Sequence, residues 1–447
     1  MEQQSQCGFA REVITPPFDI PLDGMGHNED RVPNVVTEDI TATAVALFDG
    51  EKTVLLVTMD VLWIHRFFFE EAAERIEKRC GIPKENVFLC ATHTHSAPDM
   101  RNVADSRVFA YLSILYDKLT ETAEEAVRDL APCSLYIGRC RTDGLNSVRR
   151  YFLENGGFFT VGSTDPARKV LCETGGDHSL QLIRFARTPK KDVVLANFAA
   201  HPGCGEDLHT LHPSFIGAFR RGFETEDRHL AFFQGAQGNM ECWSGIEKTE
   251  DGAKEKGYEE IGRRLAADAG ALLPVLEPVA AGEIRMIRKL VPAAVDHTLD
   301  ALAEKAKELL GTYRANVPLP AEIVEKYGLH AATQCRTVIK NATEYKDAAD
   351  LPVPLSALSF GRIAFVFAGY EMFTQSGMQI KAQSPFAMTF ICGNSCGSCG
   401  YMPASECFGN HGFEVNSTTF VRGTAEMLAE EALSMLGELR KESVSDR

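Results

Sequence analysis

Val87-Phe88-Leu89-Cys90-Ala91-Thr92-His93-Thr94-His95-Ser96-Ala97-Pro98-Asp99 opens with an unbroken apolar run and closes on two histidines and a proline. An apolar run of strand length, bounded by a breaker, marks a buried strand, here expected over residues 86–91. Upstream, residues 53–60 read as another buried strand and 67–80 as a charged amphipathic helix between the two. Strand, helix and strand in that order is the α/β pattern. Further out, residues 106–130 form a long amphipathic stretch, followed by strands near 134–138, 180–185 and 193–199. Helical periodicity returns at 214–223 and 252–272, strands at 283–289, 357–360, 363–367 and 386–392, and a helix at 418–436. The expected fold is α/β, with mixed β-sheets flanked by helices in a single large domain. A helical excursion is expected at about 293–350, where residues 300–310 carry the alternating charge of a solvated helix face.

Composition narrows the function. The chain has 447 residues, 45% of them hydrophobic and 24% charged, enough apolar material for a large core. Forty-six basic against sixty-two acidic side chains give a net charge of −16, the wrong sign for following a phosphate backbone, so nucleic acid is set aside as a partner. Residues 1–7 are polar and give no secretory pattern, and no apolar run approaches a membrane span. Thirteen cysteines scattered along a long chain suggest free thiols in a reducing compartment, so the cytoplasm is the expected location. The expected partner is a small-molecule substrate; the sequence is silent on oligomeric state.

Three further strand ends carry side chains of the kind that bind metals. Residues two apart on a strand share a face, so His93 and His95 can converge, although a His-x-His can equally serve as a hydrogen-bonding strand end. Residues 195–202 repeat the arrangement, an apolar strand ending in His201-Pro202. His209 and His212 nearby read as loop residues. Residues 365–371 deliver Glu371 into an apolar setting, where it either caps the next helix or meets a cation, because an unpaired buried charge is costly. Tyr401, in Gly400-Tyr401-Met402-Pro403, follows a glycine-rich turn and reads either as packing or as a ligand.

Taken together these segments resemble the neutral/alkaline non-lysosomal ceramidase family of zinc amidases. The resemblance begins at Gly8-Phe9-Ala10-Arg11-Glu12-Val13-Ile14-Thr15-Pro16-Pro17, runs through His93-Thr94-His95-Ser96-Ala97-Pro98, and continues to residues 380–386 and 400–403. It implies one zinc ion held by His93, His201, Glu371 and Tyr401, with metal-activated water attacking an amide carbonyl. It also implies that His95 binds substrate or shuttles a proton, and that Asn146 with Arg149 or Arg150 borders the substrate cleft. Three departures stand out. In residues 234–241, Asn239 replaces a family aspartate and Glu241 a family serine, which makes Glu241 a candidate general base. Phe413 stands where the family has a second tyrosine, and no room is left for a C-terminal β-sandwich domain.

The reading is therefore a cytoplasmic zinc amidohydrolase. Its alternatives are an esterase on the same metal site, a non-catalytic scaffold, or an iron–sulfur radical enzyme using Cys392, Cys396 and Cys399 in C-x3-C-x2-C spacing. A structural zinc or a redox pair at Cys396 and Cys399 is a further option.

Overall fold

The computed structural model describes residues 5–24, 31–153, 158–160, 169–172, 175–203, 209–242, 257–312, 331–410 and 412–445. Two sheets dominate it. In the larger, nine-stranded sheet the order along the main path is Arg228–Gln234, Asp192–Phe198, Ser179–Arg187, Ala131–Arg141, Gln6–Val13, Thr41–Phe48, Thr53–Met59 and Val87–Ala91, with Glu277–Val279 paired to the side of Ala131–Arg141. The smaller runs Ile284–Ala294, Asp350–Phe360, Ile363–Ala368 and Met388–Cys392.

Alternation along each strand sorts side chains into layers. In Thr53–Met59, Leu55, Val57 and Met59 face the Arg66–Cys80 and Ser106–Arg128 helices, whereas Val54 and Leu56 face the smaller sheet. Phe185, Phe233 and Phe88 of the large sheet meet Phe360, Phe365 and Phe367 of the small one in a shared core, and Phe88 stacks on Phe367 at 4.4 Å. The Phe215–Phe223 and Gly257–Leu272 helices cover the remaining outer face of the large sheet. The Thr374–Gln383 and Thr424–Ser445 helices cover the small one. The result is helix, sheet, sheet, helix, with each fully buried Phe or Leu contributing roughly 1.5–3 kcal/mol.

Three neighbouring strand pairs are parallel: 53–59 with 87–91, 192–198 with 228–234, and 363–368 with 388–392. All three send their carboxyl ends toward one region, the usual ligand end of an α/β sheet. The large sheet also curls, so that its two edge strands approach. The Thr58 hydroxyl donates to the Phe232 carbonyl at 2.7 Å and the Gln234 amide to the Thr92 carbonyl at 3.0 Å. Asp60, fully buried, sits at this closure. It takes a two-pronged bond from Arg220 at 2.6 and 2.7 Å and further bonds from Thr41 and Thr92, the residue before His93.

Several elements differ from the sequence reading. The strands at Gln6–Val13 and Thr41–Phe48 are not among those expected from the sequence. Their helix-facing positions are Ala10, Ala42, Ala44 and Ala46, small enough for the Ser106–Arg128 helix to lie close. A methyl group on Gly8 would stand 2.0 Å from the Ala126 carbonyl oxygen. Within the stretch expected to be helical, the Ile284–Ala294 strand continues to 294, and the helices are Ala303–Thr312 and Ala331–Thr343; residues 313–330 lie outside the described part. Cys242 is disulfide-bonded, a departure from the expectation of free thiols throughout. Among the described residues, no helix is long and apolar enough to cross a membrane.

Candidate metal centre

The strand Val87–Ala91 stops before the histidines, so strand alternation does not aim them. His93 instead adopts a left-handed backbone, φ 68°, a conformation uncommon outside glycine. Its amide donates to the Val61 carbonyl at 3.0 Å and its ring Nδ1 bonds the Leu62 carbonyl at 2.8 Å. His201 is anchored in the same manner, its Nδ1 meeting the Gln237 carbonyl at 3.1 Å. An imidazole whose Nδ1–H donates to a carbonyl presents, when neutral, a bare lone pair at Nε2. Burial holds His201 neutral, pushing its pKa well down, and the charges of Arg149 and its neighbouring histidines act in the same direction.

These two Nε2 atoms lie 3.1 Å apart. Glu371 Oε2 is 3.3 Å from each of them. Both carboxylate oxygens of Glu371 are enclosed and have no hydrogen-bond partner among the described residues. Three buried groups able to accept thus converge, an arrangement that costs several kcal/mol unless a cation or a proton is supplied. Tyr401 Oη stands 3.4 Å from His201 Nε2 and accepts from Arg149 Nη2 at 3.0 Å. Burial, with the nearby Glu371 carboxylate, pushes the Tyr401 phenol well up, while Arg149 pulls it the other way.

His93, His95 and His201 also form a group able to hold a metal ion, with ligand atoms within 4.8 Å of one another. Within that limit, His93, His201 and Glu371 lie 3.1–3.3 Å from one another and Tyr401 lies 3.4 Å from His201. That set fits a small ion, because tetrahedral bonds of 2.0–2.1 Å put ligand atoms about 3.3 Å apart. His95 Nε2 is enclosed and unpartnered among the described residues. Burial first, then His93 and Arg149, hold its pKa well below the usual value. Gly24, at φ +102°, presses on that ring so closely that a methyl group there would lie 2.9 Å from it.

The remaining site residues named from the sequence fall into two groups. Arg149 reaches the centre through Tyr401. Arg150 stands one step behind, donating to Glu414 at 2.9 Å. Asn146 spends its amide on the carbonyls of Asp177 and Ala199 and on His178, at 2.8, 2.7 and 2.6 Å. Asn239 accepts from the Thr374 backbone at 2.8 Å and donates to Gln375 at 3.0 Å, so its side chain starts the Thr374–Gln383 helix. Glu241 is half-buried on the short strand Met240–Cys242, opposite Ser147 and bridged to His201 through the backbone. Phe413 packs edge-on against Tyr401 at 5.7 Å. Cys392 and Cys396 lie in the core between the sheets, whereas Cys399 packs on the opposite side of the small sheet, so the three thiols do not meet. The sequence reading missed Glu414, whose carboxylate takes Arg149 Nε at 2.7 Å. Its only signal was an acid next to Phe413, a position already singled out.

Compared with protein-family models and with curated protein sequences, the chain has no match. Among solved structures, neutral ceramidase from Pseudomonas aeruginosa superposes with a TM-score of 0.76 at 18% identity, over 99% of this chain and 75% of that one. The chain has the neutral ceramidase fold. A ceramidase solved in complex with C2 gives a TM-score of 0.74 at 17% identity, over 98% of this chain and 76% of that one. With the ceramidase fold in hand, the expectation of mixed sheets flanked by helices in a single domain holds.

Proposed function

We propose that this chain is a zinc-dependent hydrolase that cleaves an amide bond in an N-acyl small molecule. The observation that supports it most is the meeting of buried groups able to accept, from His93, His201 and Glu371, with Tyr401 beside them, at the separations a tetrahedral ion imposes. Two imidazoles with two oxygen donors suit zinc. When bound, such an ion acidifies a coordinated water and polarises a carbonyl. Around it the protein supplies His95, a neutral imidazole whose free Nε2 can take a proton from the attacking water. Arg149 holds the Tyr401 hydroxyl, and the enclosed setting of the cluster strengthens each electrostatic contact. The amide as the bond cleaved rests on the two structural neighbours, both named as ceramidases.

The test is elemental analysis of the purified protein together with a hydrolysis screen across N-acyl compounds and their ester counterparts. One zinc per chain is expected, lost in His93→Ala, with turnover of amides abolished by a chelator and restored by Zn2+. Protein that carries no zinc and hydrolyses nothing overturns the reading; turnover of esters alone would move it to an esterase. Glu241 is the rival to His95 for that proton: if Glu241 takes it, Glu241→Gln lowers kcat about 100-fold with zinc content unchanged, the usual contribution of a general base. Unchanged kcat would remove Glu241 from the chemistry.

A further inference from the structure

Behind Tyr401 lies a group of charges that the proposed reaction does not itself require. Glu414 is fully buried, as is Arg150, and the Arg149 side chain is only 6% exposed. The carboxylate is gripped from both sides: Oε1 accepts from Arg149 Nε at 2.7 Å and Oε2 from Arg150 Nη1 at 2.9 Å. Arg150 is fixed in turn by the Cys407 carbonyl at 3.2 Å. With its Nε end pinned, the Arg149 guanidinium has its plane set, and Nη2 points at both Tyr401 Oη and the Gly238 carbonyl, at 3.0 and 3.1 Å. Removing three charged groups from water costs several kcal/mol per ion, and apolar side chains of similar volume would often pack there as well or better. The neighbouring Phe413 already supplies apolar contact to the Tyr401 ring. What the charged group adds is direction.

We propose that Glu414 is a positioning residue for the metal centre. Its carboxylate sets the orientation of Arg149, and Arg149 thereby holds the Tyr401 hydroxyl on the ion. Glu414 touches neither ion nor substrate; it acts through two intervening side chains. This inference rests on the metal-site reading above, and the experiment separates the two.

Zn2+ affinity is measured by competition with a chromophoric chelator for wild type, Glu414→Gln, Tyr401→Phe and the double variant, with thermal melting of each metal-free protein as the check on folding. Glu414→Gln is expected to weaken Zn2+ binding about tenfold or more, the scale seen for partners that orient ligands. The double variant is expected to bind no more weakly than Tyr401→Phe alone, because both exchanges cut one chain of contacts. A residue that merely filled space would not give that non-additivity. Should Glu414→Gln fail to fold, Glu414→Gln with Arg150→Met replaces it, since that pair keeps the net charge of the buried group at +1 and still removes the carboxylate. Affinity equal to wild type, or losses that multiply in the double variant, overturns the role of Glu414 and leaves the metal reading standing. Wild-type protein that takes up no Zn2+ overturns the metal reading and this inference with it.

Discussion

The two sides of the candidate metal centre are held in different ways. On one side, His93 and His201 stand at the ends of parallel strand pairs in the large sheet, each locked by a ring bond to a backbone carbonyl. On the other, Tyr401 is aimed through Arg149, Arg150 and Glu414, side chains separated from it by up to 252 positions in sequence. Backbone carbonyls come with the fold and cost nothing extra in specificity, whereas a charge relay works only if every member is present. The histidine side should therefore be rigid and nearly all-or-none, and the tyrosine side adjustable in small steps.

The largest effect separates the two sides directly. His201→Ala removes a proposed ligand from the rigid side, where His93 is locked to a backbone carbonyl and cannot shift to compensate. Zn2+ affinity is expected to fall more steeply than in Tyr401→Phe, and by more than the roughly 10–100-fold usual for partners that only orient a ligand. Equal losses in a chelator competition would mean that the two sides do not differ.

Next comes the scaffold under the histidine side. Asp60 collects Arg220, Thr41 and Thr92 where the sheet closes. Asp60→Asn keeps the shape but leaves the Arg220 guanidinium, only 6% exposed, without its counter-charge. A cost of about 3–5 kcal/mol in urea unfolding is expected. Loss of zinc should appear only as a consequence of unfolding. If the variant is as stable as wild type yet binds no zinc, Asp60 belongs to the site and not to its foundation.

A finer probe is Gly24→Ala. At φ +102° an alanine is strained, and its methyl group would lie 2.9 Å from the His95 ring. His95 should shift, kcat should drop about tenfold, and zinc should stay, since the proposed ligand set excludes His95. Zinc loss in this variant would instead favour His93, His95 and His201 as the binding group.

How far the sequence disclosed this follows the same division. His93 and His201 were legible because a buried strand followed by histidine and proline is a local pattern. The reason given for His93 and His95 converging was wrong, since a turn with positive φ aims them and no period of two is involved. Glu371 was visible as a charge in an apolar run, but the choice between a cap and a cation needed the histidines beside it. Asn239 and Asn146 stand out in the sequence only through the family resemblance, and the structure adds their bonds: Asn239 accepts from the Thr374 backbone, and Asn146 donates to the Asp177 and Ala199 carbonyls. Glu414 was illegible for the opposite reason: its partners lie 264 and 265 positions away, and no local period encodes a pair of arginines meeting one acid. Thr41–Phe48 carries its own apolar run, Ala44 to Phe48, that the sequence reading missed, whereas Gln6–Val13 mixes apolar and polar residues and announces no strand.

The smallest expected effect concerns pH at His65, on the chain between Leu62, which bonds the His93 ring, and the first helix. His65 precedes the Arg66–Cys80 helix without giving it a side-chain cap, and its Nε2 is enclosed without a partner among the described residues. Burial, aided by Arg101 and opposed by Asp99, lowers its pKa from 6.5 to about 4. The unfolded chain therefore takes up this proton near pH 6.5 while the folded chain resists it, so the contribution to stability is full above 6.5 and is lost as pH falls toward 4. Asp23 works in the opposite sense: burial raises its carboxyl from 3.8 to about 6, giving stability that is present below 3.8 and lost as pH rises through 6. His95 and His201, both depressed by burial, add to the direction of His65, so metal-free wild type should melt at lower temperature at pH 4.5 than at 6.5. His178 and His229 are lowered by burial too, so in His65→Gln one of five histidine contributions disappears and that of Asp23 remains. The loss of stability across this window should then shrink by about 2 kcal/mol. Melting curves of both metal-free proteins at the two pH values decide it; an undiminished difference would mean that His65 is already solvated in the folded chain.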